Sequence, residues 1–147
     1  MPGVSNPEVL DLEAVRALLE RNGLPTSDLL SGRPEFAVIR EGDEVVAAGA
    51  LQRFGSAALL RSVIVTEKRR RSGLGQGIVG ELEQRARFAG IKELILLTET
   101  ASAFFAARGY RVIERRTAPS EVQESEEFRS LCVSSAVCMV KYLTTPG

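Results

Sequence analysis

The segment EKRRRSGLGQGIVGEL, residues 67–82, places three consecutive arginines and four glycines between two apolar stretches. The stretch before it, AALLRSVIV, has the nearly continuous apolar character of a buried strand, and apolar residues after it recur at helical spacing. Such a loop leads into a helix whose first-turn N–H groups carry a partial positive charge. Because glycines allow close backbone approach, the segment predicts an anion site, in particular for phosphate. The arginines at 69, 70 and 71 would add attraction at longer range.

The composition excludes several classes of protein. The 147 residues contain 19 lysines and arginines and 19 aspartates and glutamates, so the basic excess that nucleic-acid binding usually requires is missing. Histidine is absent, which excludes histidine bases and Ser-His-Asp triads. The two cysteines, Cys132 and Cys138, form no CxxC motif and predict no metal site.

The expected location is the cytoplasm. No apolar run approaches the roughly 20 residues of a membrane span. The N-terminal sequence MPGVSNPEVL lacks the basic and apolar regions of a signal peptide. We therefore expect no membrane association.

The pattern along the chain predicts one α/β (α+β) domain, residues 1–147, with the element order α-β-β-β-α-β-α-β-β. Helices are predicted in PEVLDLEAVRALLERNGLP, in SDLL, after the glycine loop as far as Gly90, and in TASAFFAARGY. The segment EFAVIREGDEVVAAGALQRFG predicts a hairpin that turns at residues 41–43. Further strands are predicted in AALLRSVIV, KELILLT, RVIERR and SAVCMVKYL.

Two glycine motifs overlap in the loop. Gly75-x-Gly77-x-x-Gly80 matches the dinucleotide fingerprint, and Glu99 lies where that motif has its ribose ligand. That fingerprint needs its first glycine directly after the strand, whereas here the charged residues 66–71 intervene. The dinucleotide interpretation is therefore the less favoured one.

The earlier motif, Arg70-x-x-Gly73-x-Gly75, resembles the acyl-CoA pyrophosphate loop of the GNAT N-acetyltransferases. FFAARGY, residues 104–110, stands where that family has a second landmark, and the resemblance covers nearly the whole chain. It implies a mixed, mostly antiparallel central sheet flanked by helices. It also implies acetyl-CoA as acyl donor and a small-molecule amine as acceptor. Dimers are common in the family, so a homodimer is compatible with the sequence.

The resemblance further implies which residues bind the donor. Backbone N–H groups of the loop would hold the pyrophosphate, and the preceding strand would pair with the pantetheine arm. The helix after LILLT would line the thiol channel. The corresponding positions are Val63, Val65, Arg70, Arg71, Gly73, Gly75, Gln76, Phe104 and Phe105.

The sequence departs from the family at the general acid. Phe105 occupies the position where the family usually has a tyrosine, and a phenyl ring donates no proton. Tyr110 is expected to pack, and Tyr142 near the chain's end is the remaining tyrosine. The catalytic groups are therefore unassigned. A non-catalytic acyl-CoA or metabolite sensor is the alternative to an enzyme.

Four residues are candidates for acceptor binding. Arg61 would suit an amine that also carries a carboxylate, although a surface arginine on a strand edge is an equal alternative. Ser62 follows it, and Glu99 and Thr100 follow the next strand.

A narrower resemblance concerns the C-terminal half. LLTETASAFFAARGY and EFRSLCVSSAVCMVKYL resemble the arsenic-resistance N-acetyltransferase subgroup of GNAT proteins. This resemblance implies an amino acid or a toxic, arsenic-related analogue as acceptor. The spacing of Cys132 and Cys138 does not by itself establish an arsenic site.

Overall fold

The computed structural model describes residues 4–5, 9–21, 34–70, 72–125, 128 and 136–143. The strands are β1 (Val4–Ser5), β2 (Glu35–Glu41), β3 (Glu44–Phe54), β4 (Ala57–Val65), β5 (Glu93–Thr98), β6 (Arg111–Ile113) and β7 (Val137–Tyr142). The helices are α1 (Val9–Arg21), α2 (Leu74–Phe88), α3 (Ser102–Ala106) and α4 (Ser120–Gln123). The helix predicted in SDLL lies outside the described residues.

The described residues form two compact units, and β4 contributes to both. The first unit comprises the described residues up to Gln52 together with Leu60–Arg85, and the second comprises Arg53–Leu59 and those from Ala86 onwards. The strand order is β1-β2-β3-β4 in the first unit and β4-β5-β7-β6 in the second. The β4–β5 pairing is parallel, whereas β1–β2, β2–β3, β5–β7 and β6–β7 are antiparallel. This mixed, mostly antiparallel arrangement with flanking helices confirms the predicted fold class.

The first unit is built around β3, which is buried along eight consecutive residues, 45–52. Burial of successive residues means that both faces of the strand are covered. One face packs against α1 in an apolar cluster of Val15, Leu19, Phe36, Val38, Val45, Ala48 and Ala50. The other face meets α2 at Gly49, where a Cβ would lie 2.5 Å from Ile78 Cγ2 and 3.0 Å from Leu82 Cδ1. The missing side chain at Gly49 therefore lets α2 approach the strand.

The second unit has its own apolar cluster, which α4 and its flanking residues cover. Its members are Ala57, Leu59, Ile95, Ala118, Val122, Phe128, Cys138 and Val140. The predicted end of α2 is confirmed, because Gly90 has a φ of +81° and the following Ile91 N–H donates to Ala86 O at 2.9 Å.

The strand predicted in RVIERR is wrong in its second half, because β6 ends at Ile113. Residues Arg115–Thr117 form a 3₁₀ turn in which the Thr117 N–H donates to Glu114 O at 3.0 Å. The Thr117 hydroxyl donates to the same oxygen at 2.6 Å. These local bonds satisfy the backbone outside the sheet. The strand β1 and the helix α4 are additions to the predicted order.

Among the helices of the described residues, none is both long enough and apolar enough to cross a membrane.

Candidate active site

The glycine loop joins β4 to α2 through a defined backbone path. The Thr66 N–H donates to Val46 O at 2.9 Å, and a 3₁₀ turn follows at Glu67–Arg69. The helix α2 begins directly after Gly73, whose carbonyl accepts the N–H of Gly77 at 3.1 Å. The loop therefore ends in a helix N-terminus, as predicted. Arg71 lies outside the described residues.

Gly73 is required by its backbone conformation. Its φ is +86°, and a Cβ built on it would meet nothing within 4 Å. Residues that carry a Cβ rarely adopt this φ. The position therefore favours glycine, although there is room for a side chain. Leu74, Gly75 and Gln76 form the first turn of α2. The N–H groups of a first helical turn point out of the helix end and attract anions.

The basic residues before Gly73 were expected to attract an anion, but two of them are engaged in ion pairs. Arg69 Nε donates to Glu41 Oε1 at 2.7 Å, and Lys68 Nζ donates to Glu44 Oε2 at 2.7 Å. Both acids flank the β2–β3 turn. Exposed ion pairs of this kind contribute roughly 0–1 kcal/mol each. Their main consequence is geometric, because they hold the loop against the hairpin instead of offering two charges to a ligand.

Arg70, which heads the motif, is exposed and its Nε donates to Val65 O at 3.3 Å. This bond joins the loop to the last residue of β4. The half-buried side chain of Val63 packs inward, since its Cγ2 would lie 3.4 Å from a Cβ at Gly49. The Val63 side chain therefore contributes to packing on the Gly49 side of the sheet.

An irregularity interrupts β4 at Ser62. Its φ of +59° is the only positive φ of a non-glycine residue among those described. Ile64 packs on the α1 face of the sheet. Arg61 bonds to Gln52, which shares that face because it lies two residues after Ala50. Residues 61 and 64 would lie on opposite faces of a regular strand. The left-handed residue between them turns both to the same side.

Arg61 is a buried residue. Its side chain is 2% exposed, and its Nη1 donates to Gln52 Oε1 at 3.2 Å. Gln52 is itself 6% exposed. The alternative of a surface arginine is therefore wrong. Gln52 was not among the predicted site residues. The signal that could have found it is its position as the polar residue that ends the apolar run VVAAGAL of β3.

The second unit contains both exposed and buried candidate site residues. Glu99 and Thr100 are exposed directly after β5. Phe105 is 6% exposed and packs edge-on against Tyr110, with ring centroids 5.4 Å apart. Phe105 is therefore a core ring of its unit. Tyr110 is 3% exposed, as expected for a packing role.

The neighbouring ring of Phe104 lies beneath the guanidinium of Arg108, 3.7 Å from its centre. Arg108 Nη1 also donates to Phe104 O at 2.8 Å. Tyr142, at the end of β7, is 59% exposed. The Arg111 guanidinium carbon lies 5.2 Å from the centre of its ring.

The described cysteine is poorly suited to thiolate chemistry. Cys138 is buried, and desolvation raises its pKa to about 11 although Arg115 acts in the opposite direction. At neutral pH the thiol is therefore protonated. Cys132 lies outside the described residues. Within the described part of the chain, no three acidic or thiol side chains are grouped so that they could hold a metal ion.

A groove of about 530 Å³ lies between α1 and the β2–β3 turn. Glu41, Asp43 and Glu44 line it, and Arg21 contributes one cation. Three carboxylates disfavour a phosphate ligand, so this groove does not fit the predicted anion.

The dinucleotide interpretation does not fit the loop. Gly75, Gly77 and Gly80 all lie inside α2. The third glycine of that fingerprint permits close packing of helix and strand. A Cβ at Gly80 would meet nothing within 4 Å, so Gly80 makes no such close approach.

Gly80→Ala is therefore expected to stabilise the protein. The exposed position in α2 gains helix propensity worth about 0.5–1 kcal/mol, and no atom obstructs the methyl group. Urea unfolding measures the gain, and calorimetry should find unchanged affinity for coenzyme A. A loss of stability would show that Gly80 makes a close contact after all.

Several solved structures are similar to this chain in fold. N-acetylglutamate synthase from Neisseria gonorrhoeae, complexed with coenzyme A and N-acetyl-glutamate, matches with a TM-score of 0.84 and 20% identity. The match covers 98% of this chain but 35% of that protein, so the chain spans about a third of its length.

Two further structures match over nearly their whole length. Rv2747 from Mycobacterium tuberculosis, in complex with CoA, has a TM-score of 0.79 and 23% identity over 97% of this chain and 100% of its own. The ribosomal-protein-S18-alanine N-acetyltransferase from Escherichia coli has a TM-score of 0.75 and 18% identity, over 100% of this chain and 97% of its own. At these identities the matches establish the fold, which is that of N-acetyltransferases.

The model of the acetyltransferase (GNAT) domain family matches residues 32–112, more than half of the chain. The chain therefore belongs to the GNAT acetyltransferase family. The predicted family and its general enzyme class, acetyltransferase, are thereby confirmed. No curated protein sequence matches the chain.

Proposed function

We propose that this chain is an N-acetyltransferase that moves the acetyl group of acetyl-CoA to the amine of a small molecule. The observation that carries the proposal is the glycine loop. Gly73 directly precedes α2 at the end of the loop that follows β4, inside the segment that matches the family model. Two of the similar structures contain coenzyme A, in agreement with acetyl-CoA as the donor.

The proposed donor site follows the resemblance. Backbone N–H groups of the loop and of the first turn of α2 hold the pyrophosphate, at positions Arg70, Arg71, Gly73, Gly75 and Gln76. The backbone of Val63 and Val65 pairs with the pantetheine arm. Phe105 supports the wall of the thiol channel from within its own unit.

The reaction needs little covalent participation by the protein. The neutral amine attacks the thioester carbonyl, a C–N bond forms, and the C–S bond breaks. The amine proton passes to water, and the CoA thiolate leaves and takes up a proton from water. Holding amine and thioester together supplies a large part of the rate enhancement.

The missing general acid favours a second candidate function. Phe105 cannot protonate the departing thiolate, and its ring is buried against Tyr110. A protein that binds acyl-CoA or a metabolite without turning it over would have the same loop. We propose the enzyme because the family is one of acetyltransferases.

Several finer features remain part of the proposal. The acceptor is a small molecule such as an amino acid, for which Ser62, Glu99 and Thr100 are candidate contacts. The narrower resemblance to arsenic-resistance acetyltransferases has no support among the comparisons, so arsenic-related amines serve as members of a test panel. A single cytoplasmic domain, a homodimer and the lack of nucleic-acid binding are likewise proposed.

The test combines binding and turnover. Calorimetry should detect acetyl-CoA binding, with no comparable binding of NAD or NADP. Release of CoA thiol should then exceed background with at least one amine of a panel of amino acids, polyamines and arsenic-bearing analogues. Acetyl-CoA binding without release on any amine would favour the sensor, and tight dinucleotide binding without competition by CoA would reject both.

A further inference from the structure

We propose that the groove between α1 and the β2–β3 turn binds an extended organic cation with spaced ammonium groups, of the linear polyamine class, and that the bound cation strengthens the binding of coenzyme A. The groove lies within the first unit and takes no part in the proposed transfer reaction. Its effect on coenzyme A rests on the donor loop of the proposed function, whereas the binding of the cation does not.

The groove has the size and the apolar wall of a small-molecule site. Its volume of about 530 Å³ falls within the roughly 300–1,000 Å³ of typical ligand pockets. One wall is a face of α1, where Ala14, Ala17 and Leu18 follow one another at helical spacing, and Val45 of β3 adds a further apolar side chain. The two alanines are exposed, and their short side chains leave room beside the helix. Such a wall suits the methylene chain of a ligand.

The polar part of the groove is anionic. Glu41, Asp43 and Glu44 line it, and Arg21 is the cation among its described lining residues. Asp43 is exposed and forms no ion pair within the described part of the chain. Its carboxylate is therefore available to a positively charged ligand, and the excess of acidic groups around it favours a cation over an anion.

The spread of the carboxylates determines which cation fits. No three acidic side chains of the described residues are grouped closely enough to hold a metal ion. Mg²⁺ and Ca²⁺ need several oxygen ligands within about 2.0–2.6 Å of a single centre. Carboxylates that are distributed along a groove instead match ammonium groups that are separated by several carbon atoms. Together with the apolar wall, this arrangement indicates a linear polyamine.

A buried hydroxyl is an independent indication of a ligand. Thr66 lines the groove, and its Oγ1 is buried without a hydrogen-bond partner among the described residues. Buried polar atoms nearly always have such a partner, because leaving one unpaired costs free energy. A hydroxyl oxygen accepts hydrogen bonds, so an ammonium group bound beside Thr66 would supply the missing donor.

Two ion pairs connect the groove to the donor loop. Lys68 binds Glu44 and Arg69 binds Glu41, and each of these side chains is partly exposed. Exposed pairs of this kind are weak, so an ammonium group of the ligand can displace either base from its carboxylate. The released base can then attract the phosphates of coenzyme A. The coupling is reciprocal, so coenzyme A should also strengthen the binding of the cation.

The first test measures cation binding to the protein without coenzyme A. Spermidine is titrated into the wild-type chain by calorimetry at low ionic strength, and saturable binding at one site is expected. Asp43→Asn removes the carboxylate that has no ion pair. Ala17→Leu fills the groove from α1 without changing the net charge, and leucine is a good helix former. Each variant should weaken spermidine binding by about threefold or more.

The control is Glu121→Gln, which removes an exposed carboxylate from α4 in the second unit and changes the net charge by the same amount as Asp43→Asn. It should leave spermidine binding unaltered, and urea unfolding checks that every variant is folded. Absence of saturable binding to the wild type, or equal weakening by Glu121→Gln, would overturn the proposal. Displacement of spermidine by Mg²⁺ at equal ionic strength would contradict the choice of an extended cation.

The second test measures coenzyme A binding with and without spermidine. Spermidine should lower the Kd of coenzyme A for the wild type by about two- to fivefold. Ala17→Leu should require at least about three times as much spermidine for the same fall. The double variant with Glu41→Gln and Glu44→Gln frees both bases, so it should bind coenzyme A more tightly and respond no further to spermidine.

An unchanged Kd of coenzyme A in the wild type, or the same dose dependence in Ala17→Leu, contradicts the coupling between groove and loop. If coenzyme A does not bind to the wild type at all, the transferase proposal fails. The spermidine titration then still decides whether the groove binds an extended cation.

Discussion

Gly73→Asp is expected to abolish binding of coenzyme A while the chain remains folded. A Cβ at this position meets nothing within 4 Å, so the cost to folding is limited to the φ of +86°. The new carboxylate would stand at the N-terminus of α2, where the pyrophosphate is proposed to bind. Repulsion between like charges should lower the affinity by roughly a hundredfold or more, measured by calorimetric titration.

The matched control for this prediction is Gly73→Asn. Asparagine has the same shape, carries no charge, and tolerates a left-handed backbone about as well as aspartate. The asparagine variant should retain most of the affinity, and both variants should unfold at similar urea concentrations. Gly75→Asp should act in the same direction from the first turn of α2, where a carboxylate does not oppose helix formation. Unchanged CoA affinity in both aspartate variants would refute the proposed role of the loop.

Of the glycine substitutions considered, Gly49→Ala is expected to cause the largest loss of folding stability. The added methyl group would lie 2.5 Å from Ile78 Cγ2 and 3.0 Å from Leu82 Cδ1, so either α2 or the strand must move. Overpacking of this kind costs about 1–3 kcal/mol, which urea unfolding would measure as a lower midpoint.

The matched comparison for Gly49→Ala is Gly80→Ala. Both variants add one methyl group, but the site at Gly49 is crowded and the site at Gly80 is open. The two changes should alter the free energy of unfolding in opposite directions. A Gly49→Ala variant as stable as the wild type would show that α2 does not pack closely on β3.

Local signals account for the features that were predicted from the sequence. The glycine motif, the β2–β3 turn and the end of α2 at Gly90 each depend on a few neighbouring residues, and each has a backbone signature that few residue types satisfy. The element order followed from hydrophobic periodicity, which is strongest in long segments such as β3 and α2. The fold class followed from that order.

The features that were missed depend on contacts between distant residues. Arg69 was interpreted as a charge for a ligand, whereas its partner Glu41 lies 28 residues away in the chain. Strict alternation along β4 could not predict the left-handed Ser62, because serine has no strong preference for that conformation. The Arg61–Gln52 pair depends on that irregularity and on the β3–β4 pairing, so it appears only in three dimensions.

The central claim is that the chain transfers an acetyl group from acetyl-CoA to a small amine. The most direct measurement incubates the protein with isotopically labelled acetyl-CoA and a panel of amines, and follows the acceptors by mass spectrometry. The label is expected to appear on the nitrogen of a small amine, in step with the release of CoA thiol, and Gly73→Asp is expected to abolish both. Saturable acetyl-CoA binding with no labelled product from any amine would contradict it.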